Sequence, residues 1–403
     1  MGRAAPSLKT AGVLALAAAL TACATAPSPG TGPGGPIATP PPGTQVQTRE
    51  GVTPPFMAGR RIVRVGLLLP FSMRPQDAAA LYSAAELALF DHGDQNTLLI
   101  PRDAGSTGPE AAAAARALVA DGADIIIGPV LREGVQGAGE AVRREQIPVI
   151  GFSSDRTVAG NGVYLLSFQP EDEISRLVSF AASRNIRSIA LLAPSNEYGR
   201  RIEQALRAEG QRRGVAITQV ELYNRNDAEA ASAAGRIAAG LATAPAQAIL
   251  IAENGTPLRS IGAALARGNV NPQRIQLMGT SVWAGGEAQR EPTLAGGWYV
   301  ATDPGARSDF ESRYQTVYAR EPTRLASLAY DAVSLAALLS RERGAQGLAR
   351  AQIENSEGFL GSDGVFRFRA NGSIERGLAI MEVRPNGVAA LDPAPRRFNG
   401  PAS

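Results

Sequence analysis

The chain has 403 residues, 44% of them hydrophobic and 19% charged, with 40 basic and 37 acidic residues, one cysteine and one histidine. Its one lysine, Lys9, falls near the amino terminus, so the remainder offers no lysine for a P-loop or a Schiff base, no second thiol and no His/Cys cluster for a metal. The arginines are spread evenly and are not interleaved with aromatics, which leaves no footprint for nucleic acid.

Residues 1–22 combine two positive charges, Arg3 and Lys9, with an apolar run from Ala11 to Leu20. That run is about half the length a membrane-spanning helix needs, and the layout is that of an export signal. Its end, Leu20-Thr21-Ala22-Cys23, resembles the bacterial lipobox at all four positions. The resemblance implies that Cys23 is acylated and becomes the first residue of the exported protein, which anchors it stably in a membrane. Ala24 follows where an Asp would favour the inner membrane, so the same resemblance implies the periplasmic face of the outer membrane. With Arg3 and Lys9 removed, 38 basic residues face 37 acidic ones, a nearly neutral chain. An exported domain with a large core can do without disulfides, which fits a lone cysteine.

From Ala24 to Gly43, twelve of twenty residues are Pro or Gly. Residues 23–60 read as a tether, spanning on the order of 30 Å as a coil and roughly 110 Å in full polyproline extension. From Arg61 the texture changes. Strands are predicted at 62–70, 97–103, 123–130 and 147–152, separated by helices at 76–90, 109–121 and 133–145. A second series has helix 171–184, strand 188–194, helix 197–213, strand 215–223, helix 227–241, strand 246–253, helix 257–267 and strand 274–279. Continuous apolar strands alternating with helices predict α/β architecture, with parallel sheets covered on both faces. The length predicts two lobes. Helices at 306–319 and 325–342 follow, then a hairpin of FRF (366–368) and LAIMEV (378–383) turning at Asn371-Gly372.

His92 sits in Phe90-Asp91-His92-Gly93, the predicted last turn of a helix with Gly93 at its C-cap, so it reads as structural. No Gly-x-Ser-x-Gly elbow occurs. Enzymatic chemistry is thereby reduced to carboxylates, with Glu253 and Asp155 as a candidate pair, and the chain is expected not to be an enzyme. In open parallel sheets ligands bind beyond the carboxyl ends of strands, near helix N-termini. That places candidate ligand-binding residues at Ser72, Arg132, Ser153, Ser154, Tyr198, Glu253, Ser281 and Trp283. Ser154, Asp155 and Ser195 also fit as helix caps, and Tyr198 and Trp283 as edge packing.

Several stretches over 61–390 resemble type I periplasmic binding proteins of the leucine/isoleucine/valine-receptor kind. They are Pro70-Phe71-Ser72, ADIIIGPV, RSIALLAPSNEYGRR, IQLMGTSVWAG and GSDGVFRFRANGS. The resemblance implies a two-lobed fold with three hinge crossovers, near Ser167–Pro170, Ala301–Pro304 and Gly358–Phe366. Lobe 1 would then be 61–168 plus 303–357, lobe 2 would be 169–302 plus 358–390, and 391–403 a tail. Amino-acid receptors of this kind hold the ligand carboxylate with hydroxyl residues where this chain has Gly128-Pro129-Val130-Leu131-Arg132-Glu133. They place an acid where it has Thr280, Ser281 and Val282. A zwitterion would therefore lack a countercharge unless Glu253 or Asp155 supplied one. A lipidated member of this fold, with Leu166-Ser-Phe-Gln-Pro-Glu-Asp-Glu173 leading into the second lobe, also resembles the penicillin-binding protein activators. This implies a non-catalytic lipoprotein that stimulates a peptidoglycan synthase. The alternative is the substrate-binding protein of an ABC importer, partnered by a permease, for amino acids or a related small polar solute. Neither reading requires a cofactor or metal.

Overall fold

The computed structural model describes residues 54–398. The leader, Cys23 and most of the tether lie outside the described residues. The folded body nevertheless reaches back beyond the expected start at Arg61. Pro55–Met57 form a 3-10 turn with Met57 buried, and Arg60 Nη1 donates to Gln95 Oε1 at 2.7 Å.

The first apolar runs become β1 (Val63–Leu69), β2 (Thr97–Asp103), β3 (Ile125–Ile127), β4 (Val149–Gly151) and β5 (Val163–Leu165). They form a parallel sheet in the order β2-β1-β3-β4-β5. Between them run α1 (Pro75–His92), α2 (Gly108–Ala120) and α3 (Arg132–Ala141). Their ends follow the local chemistry. Pro75 opens α1 and Gly93 closes it in the left-handed region at φ 57°, as predicted. Thr107 and Glu110 form a capping box on α2.

The second series gives α4 (Pro170–Ser183), β6 (Ser188–Pro194), α5 (Glu197–Arg213), β7 (Ala216–Tyr223), α6 (Asp227–Gly240), β8 (Ala248–Ile251), α7 (Gly255–Arg267), β9 (Gln276–Gly279) and β10 (Trp298–Ala301). After β10 come α8 (Pro304–Tyr318), α9 (Ala326–Arg343) and the single turn α10 (Arg350–Ile353). The chain ends in β11 (Phe359–Gly361), β12 (Gly364–Phe368), β13 (Ile374–Arg376), β14 (Ala379–Arg384) and β15 (Gly387–Asp392). The second sheet has the order β15-β14-β10-β9-β8-β6-β7, parallel except at β14 and β15.

Successive side chains of a strand point to opposite faces, and here both faces are covered. From β1, Val63, Val65, Leu67 and Leu69 enter a core with α1 and α9, whereas Leu68 enters another with Leu118 of α2 and Val135 of α3. From β6, Ile189, Leu191 and Ala193 meet α4 and α5, while Ala190 and Leu192 meet α6 and α7. Each sheet with its helices is one lobe.

The chain passes to the second lobe between β5 and α4 and returns between β10 and α8. The third passage does not fall at Gly358–Phe366. β11, β12 and β13 form a separate antiparallel sheet whose Phe359, Phe366, Phe368 and Ile374 enter the core of the first lobe. Phe368 lies 5.3 Å from the Tyr164 ring. Aromatic burial thus holds 359–376 against lobe 1, and the passage comes at Arg376–Ala379. The expected hairpin is also corrected. Asn371-Gly372 turns β12 onto β13, while Ala379–Arg384 pairs with β10 and β15 in the other sheet. Its first three residues are all buried, which suits an inner strand better than a hairpin edge. β15 runs into the segment expected to be tail.

Candidate functional site

The eight residues predicted from strand ends do not form one site. Ser72 is exposed, and its backbone N–H donates to Asp103 Oδ1 at 3.2 Å. Arg132 pairs with Asp155 at 2.7 Å. Ser153 is buried and accepts from the Asp155 N–H, while Asp155 caps the short turn Arg156–Val158 through Thr157. Tyr198 meets Thr280 Oγ1 at 2.7 Å within the second lobe. Glu253 is buried and already engaged by Tyr223 Oη at 3.0 Å and Arg225 Nε at 2.9 Å. Trp283, expected at the cleft, is fully buried. Its ring sits so close to Gly279 that a methyl group there would lie 2.1 Å from it. Glu253 and Asp155 thus each have partners of their own and do not stand as a free catalytic pair.

Ser154 is held across the lobes. Arg201, on α5, donates to the Ser154 carbonyl at 2.9 Å and its hydroxyl at 3.3 Å. The same guanidinium makes two bonds to Glu171, at 2.9 and 2.8 Å, and one to Gln169 at 3.0 Å.

A cavity of about 450 Å3 opens where the lobes and the crossings meet. Phe168 and Gln169 of the first crossing, Thr302 and Pro304 of the second, and Arg376 and Leu378 of the third all line it. Asn254, Ser281 and Val282 close it from the second lobe, Arg307, Arg324 and Asp363 from the first. The volume is in the range of small-molecule sites, roughly 300–1,000 Å3. Of the eight predicted residues, only Ser281 lines it.

Charge is organised around that serine. Glu173 of α4 is buried and accepts from Ser281 N at 3.0 Å and Ser281 Oγ at 2.6 Å. Burial raises its carboxyl above the usual range, against the lowering effect of the two Ser281 bonds. Arg324 Nη2 donates to Ser281 Oγ at 3.1 Å, and its guanidinium stands 4.9 Å from the Phe168 ring. Arg376 stands 4.9 Å from the same ring and 5.6 Å from Phe366. Its Nε donates to the Ser167 carbonyl at 3.2 Å. Arg307 pairs with Asp363 at 3.2 Å and Glu311 at 2.6 Å.

The acid that the sequence leaves missing beside Ser281 is therefore supplied from another element. Neither Glu253 nor Asp155 fills that place; Glu173 does. It closes the stretch Leu166–Glu173 that leads into the second lobe. Arg324 and Arg376 had no comparable signal, since neither lies at the end of a parallel strand. Among the described residues no group of three or more His, Cys, Asp or Glu could hold a metal ion. None of their helices is long and apolar enough to cross a membrane.

Structures with this architecture are numerous. A putative branched-chain amino acid ABC transporter protein from Rhodospirillum rubrum superimposes with a TM-score of 0.71 at 19% identity, covering 82% of this chain and 100% of that one. A solute-binding protein of an ABC transporter from R. palustris, solved in complex with benzoate, gives 0.58 at 18% identity over 84% and 98% of the two chains. A substrate-binding protein from Desulfitobacterium hafniense in complex with Leu gives 0.58 at 17% identity over 82% and 99%. No curated protein matches significantly. A family profile described as Periplasmic binding protein matches residues 62–388. With that match spanning both sheets and all three crossings, the chain belongs to the periplasmic binding protein family.

Proposed function

We propose that the chain is a non-catalytic solute receptor of the ABC-importer kind, closing its two lobes over one small organic ligand and presenting it to a permease. The observation that carries this reading is the 450 Å3 cavity bounded by both lobes and by all three crossings. A ligand there contacts every segment that must bend when the lobes move, so binding energy and lobe closure are coupled. The three solved relatives named above are described as ABC-transporter proteins, one holding benzoate and one Leu. They favour this reading over the activation of a peptidoglycan synthase, and they suggest a solute the size of an amino acid or aromatic acid. A lipid on Cys23 and attachment to the outer membrane belong to the proposal as the means of keeping the receptor in the envelope.

Thermal-shift and calorimetric titration with amino acids, benzoates and short peptides tests the receptor role. A ligand present at 100 times its Kd stabilises the folded state by about 2.7 kcal/mol, which a melting curve registers. A panel that leaves the transition unmoved, while the purified protein does alter glycan polymerisation by a synthase, would reverse the choice. Mass spectrometry of the native product reads the state of Cys23 directly.

A further inference from the structure

We infer that the end of the second lobe farthest from the cavity docks on an anionic phospholipid surface through a broad array of arginines. This goes beyond the receptor reading and does not depend on it. The arginines that the sequence spreads evenly are gathered here by the fold. In a parallel sheet each crossover helix returns the chain to the amino ends of the strands, so turns far apart in sequence meet there. The registers Ser188↔Ala216, Ile189↔Ala248 and Ala248↔Gln276 align those ends in β6, β7, β8 and β9. Backbone bonds tie neighbouring turns together: Ala216 N donates to the Arg187 carbonyl at 2.8 Å, and Gln276 N to the Gln247 carbonyl at 2.9 Å. The antiparallel β14 runs to the same end, since Glu382 faces Trp298, the first residue of β10.

Arg184 and Arg187 lie between α4 and β6, Arg212 and Arg213 close α5, and Arg267 closes α7. Arg274 precedes β9 and Arg384 ends β14. All of these side chains are exposed. The turns at this end, 183–188, 208–216, 240–247, 267–276, 295–297 and 382–387, hold seven arginines and two acids, Glu209 and Glu382. Glu209 is shared by Arg212 and Arg213, and Glu382 pairs with Arg384. Arg184, Arg187, Arg267 and Arg274 make no ion pair among the described residues. Elsewhere the balance is different. At the cavity end of the same sheet, turns 195–197, 224–229, 252–255 and 280–291 hold six acids and two arginines. At the far end of the first lobe, 58–62, 93–97, 121–125, 142–148 and 159–162 hold four of each. The six strands from β14 to β7, spaced about 4.8 Å apart, make the basic array roughly 24 Å across. Positive charge spread that widely suits a surface better than a single small anion. Planar guanidinium forks match phosphate oxygens in pairs. Clusters of about four to eight basic residues are what anionic lipid headgroups attract. The proposed anchor at Cys23 would keep a bilayer within reach.

The experiment sediments the chain from residue 23 onward with vesicles, using Cys23→Ser so that no acyl chain contributes. One set of vesicles is phosphatidylcholine alone, the other phosphatidylcholine mixed with phosphatidylglycerol. The chain should bind the mixed vesicles at about 0.1 M salt, where charges act over about 10 Å, and leave them at about 1 M, where the range is about 3 Å. Phosphatidylcholine alone should not hold it. Each arginine at such a surface contributes about five-fold, so combining Arg184→Gln, Arg187→Gln, Arg267→Gln and Arg274→Gln should weaken binding about 100-fold or more. A matched variant removes the same charge from the first lobe through Arg116→Gln, Arg143→Gln, Arg144→Gln and Arg343→Gln, and should bind nearly as the parent does. All eight side chains are exposed, so both variants should keep the fold. Absence of binding to the mixed vesicles overturns the inference. Equal losses in the two variants overturn it as well, since net charge alone would then be acting. Binding that survives about 1 M salt would assign the contact to apolar groups and has the same consequence. Tighter binding to inorganic polyphosphate than to the mixed vesicles, at equal phosphate, would put a soluble polyanion in place of the bilayer. None of these outcomes touches the receptor reading.

Discussion

Asp331 of α9 and Asp363, between β11 and β12, are both almost fully buried carboxylates, Asp363 in the cavity wall. Burial first, and the neighbouring Asp363 charge second, push the Asp331 carboxyl up to about 7, although Arg376 and the Ser362 bonds oppose the shift. Asp363 has Arg307 as a partner and Asp331 has no arginine within ion-pair range among the described residues, so the proton belongs on Asp331. The sign of its effect on stability follows. Between about 4, where the unfolded carboxyl ionises, and about 7, the folded state keeps a proton that the unfolded chain has lost. Stability from this group is complete below that window and falls as pH rises through it. Asp331→Asn should flatten that part of the profile, so that variant and wild type converge at low pH and the variant gains relative stability toward pH 8. Urea midpoints measured from pH 4 to pH 8 check this, and parallel profiles would show that Asp331 is ionised throughout.

The start of α5 shows how an element positions the site. Asn196 caps the helix by accepting from Gly199 N at 3.0 Å, and the helix lies so close to the end of β6 that a methyl group on Gly199 would sit 1.8 Å from the Pro194 carbonyl oxygen. Only glycine fits there. Gly199→Ala should force the first turn away from the sheet, costing about 1–3 kcal/mol by overpacking and displacing Tyr198 and Arg201 with it. Chemical denaturation measures the loss, and an unchanged midpoint would mean the turn has room. The helix start was legible in the sequence as Tyr198-Gly199 after an apolar run, although its cap was expected at Ser195 and is Asn196. So were the parallel strands and their helices, because burial on both faces leaves continuous apolar runs separated by helix-length segments. What stayed hidden has a physical reason. β11 and β13 are three residues long and, unlike the equally short β3 and β4, lie outside any long apolar run. The third crossing was misplaced because three phenylalanines and Ile374 draw β11–β13 onto the first lobe, a tertiary effect without a local signature. The site was misread for the same reason. Strand ends pointed to Glu253 and Trp283, which the fold buries, while Glu173, Arg324 and Arg376 reach the cavity from a helix, an inter-helix loop and the small antiparallel sheet.

At the scale of the whole molecule, the two lobes touch through side chains as well as through three crossings, and Arg201 is the clearest such contact. Its side chain is 18% exposed, and its guanidinium joins the Ser154 loop of the first lobe to Glu171 at the start of α4. A hydrogen-bonded charge this well covered is worth more than an exposed surface pair, on the order of 1–3 kcal/mol. Because Ser154 and α5 belong to different lobes, that energy is present only when the lobes are together, so it biases the ligand-free protein toward the closed arrangement. Arg201→Met keeps much of the side-chain volume and removes the bonds. It should enlarge the ligand-free radius of gyration seen by solution scattering and leave the ligand-saturated value unchanged. Affinity should fall in proportion to the closed fraction that is lost, several-fold for a shift of this size. If scattering of the Arg201 variant superimposes on that of the wild type and affinity holds, the lobes are kept together by the crossings alone and Arg201 only orders the Ser154 loop.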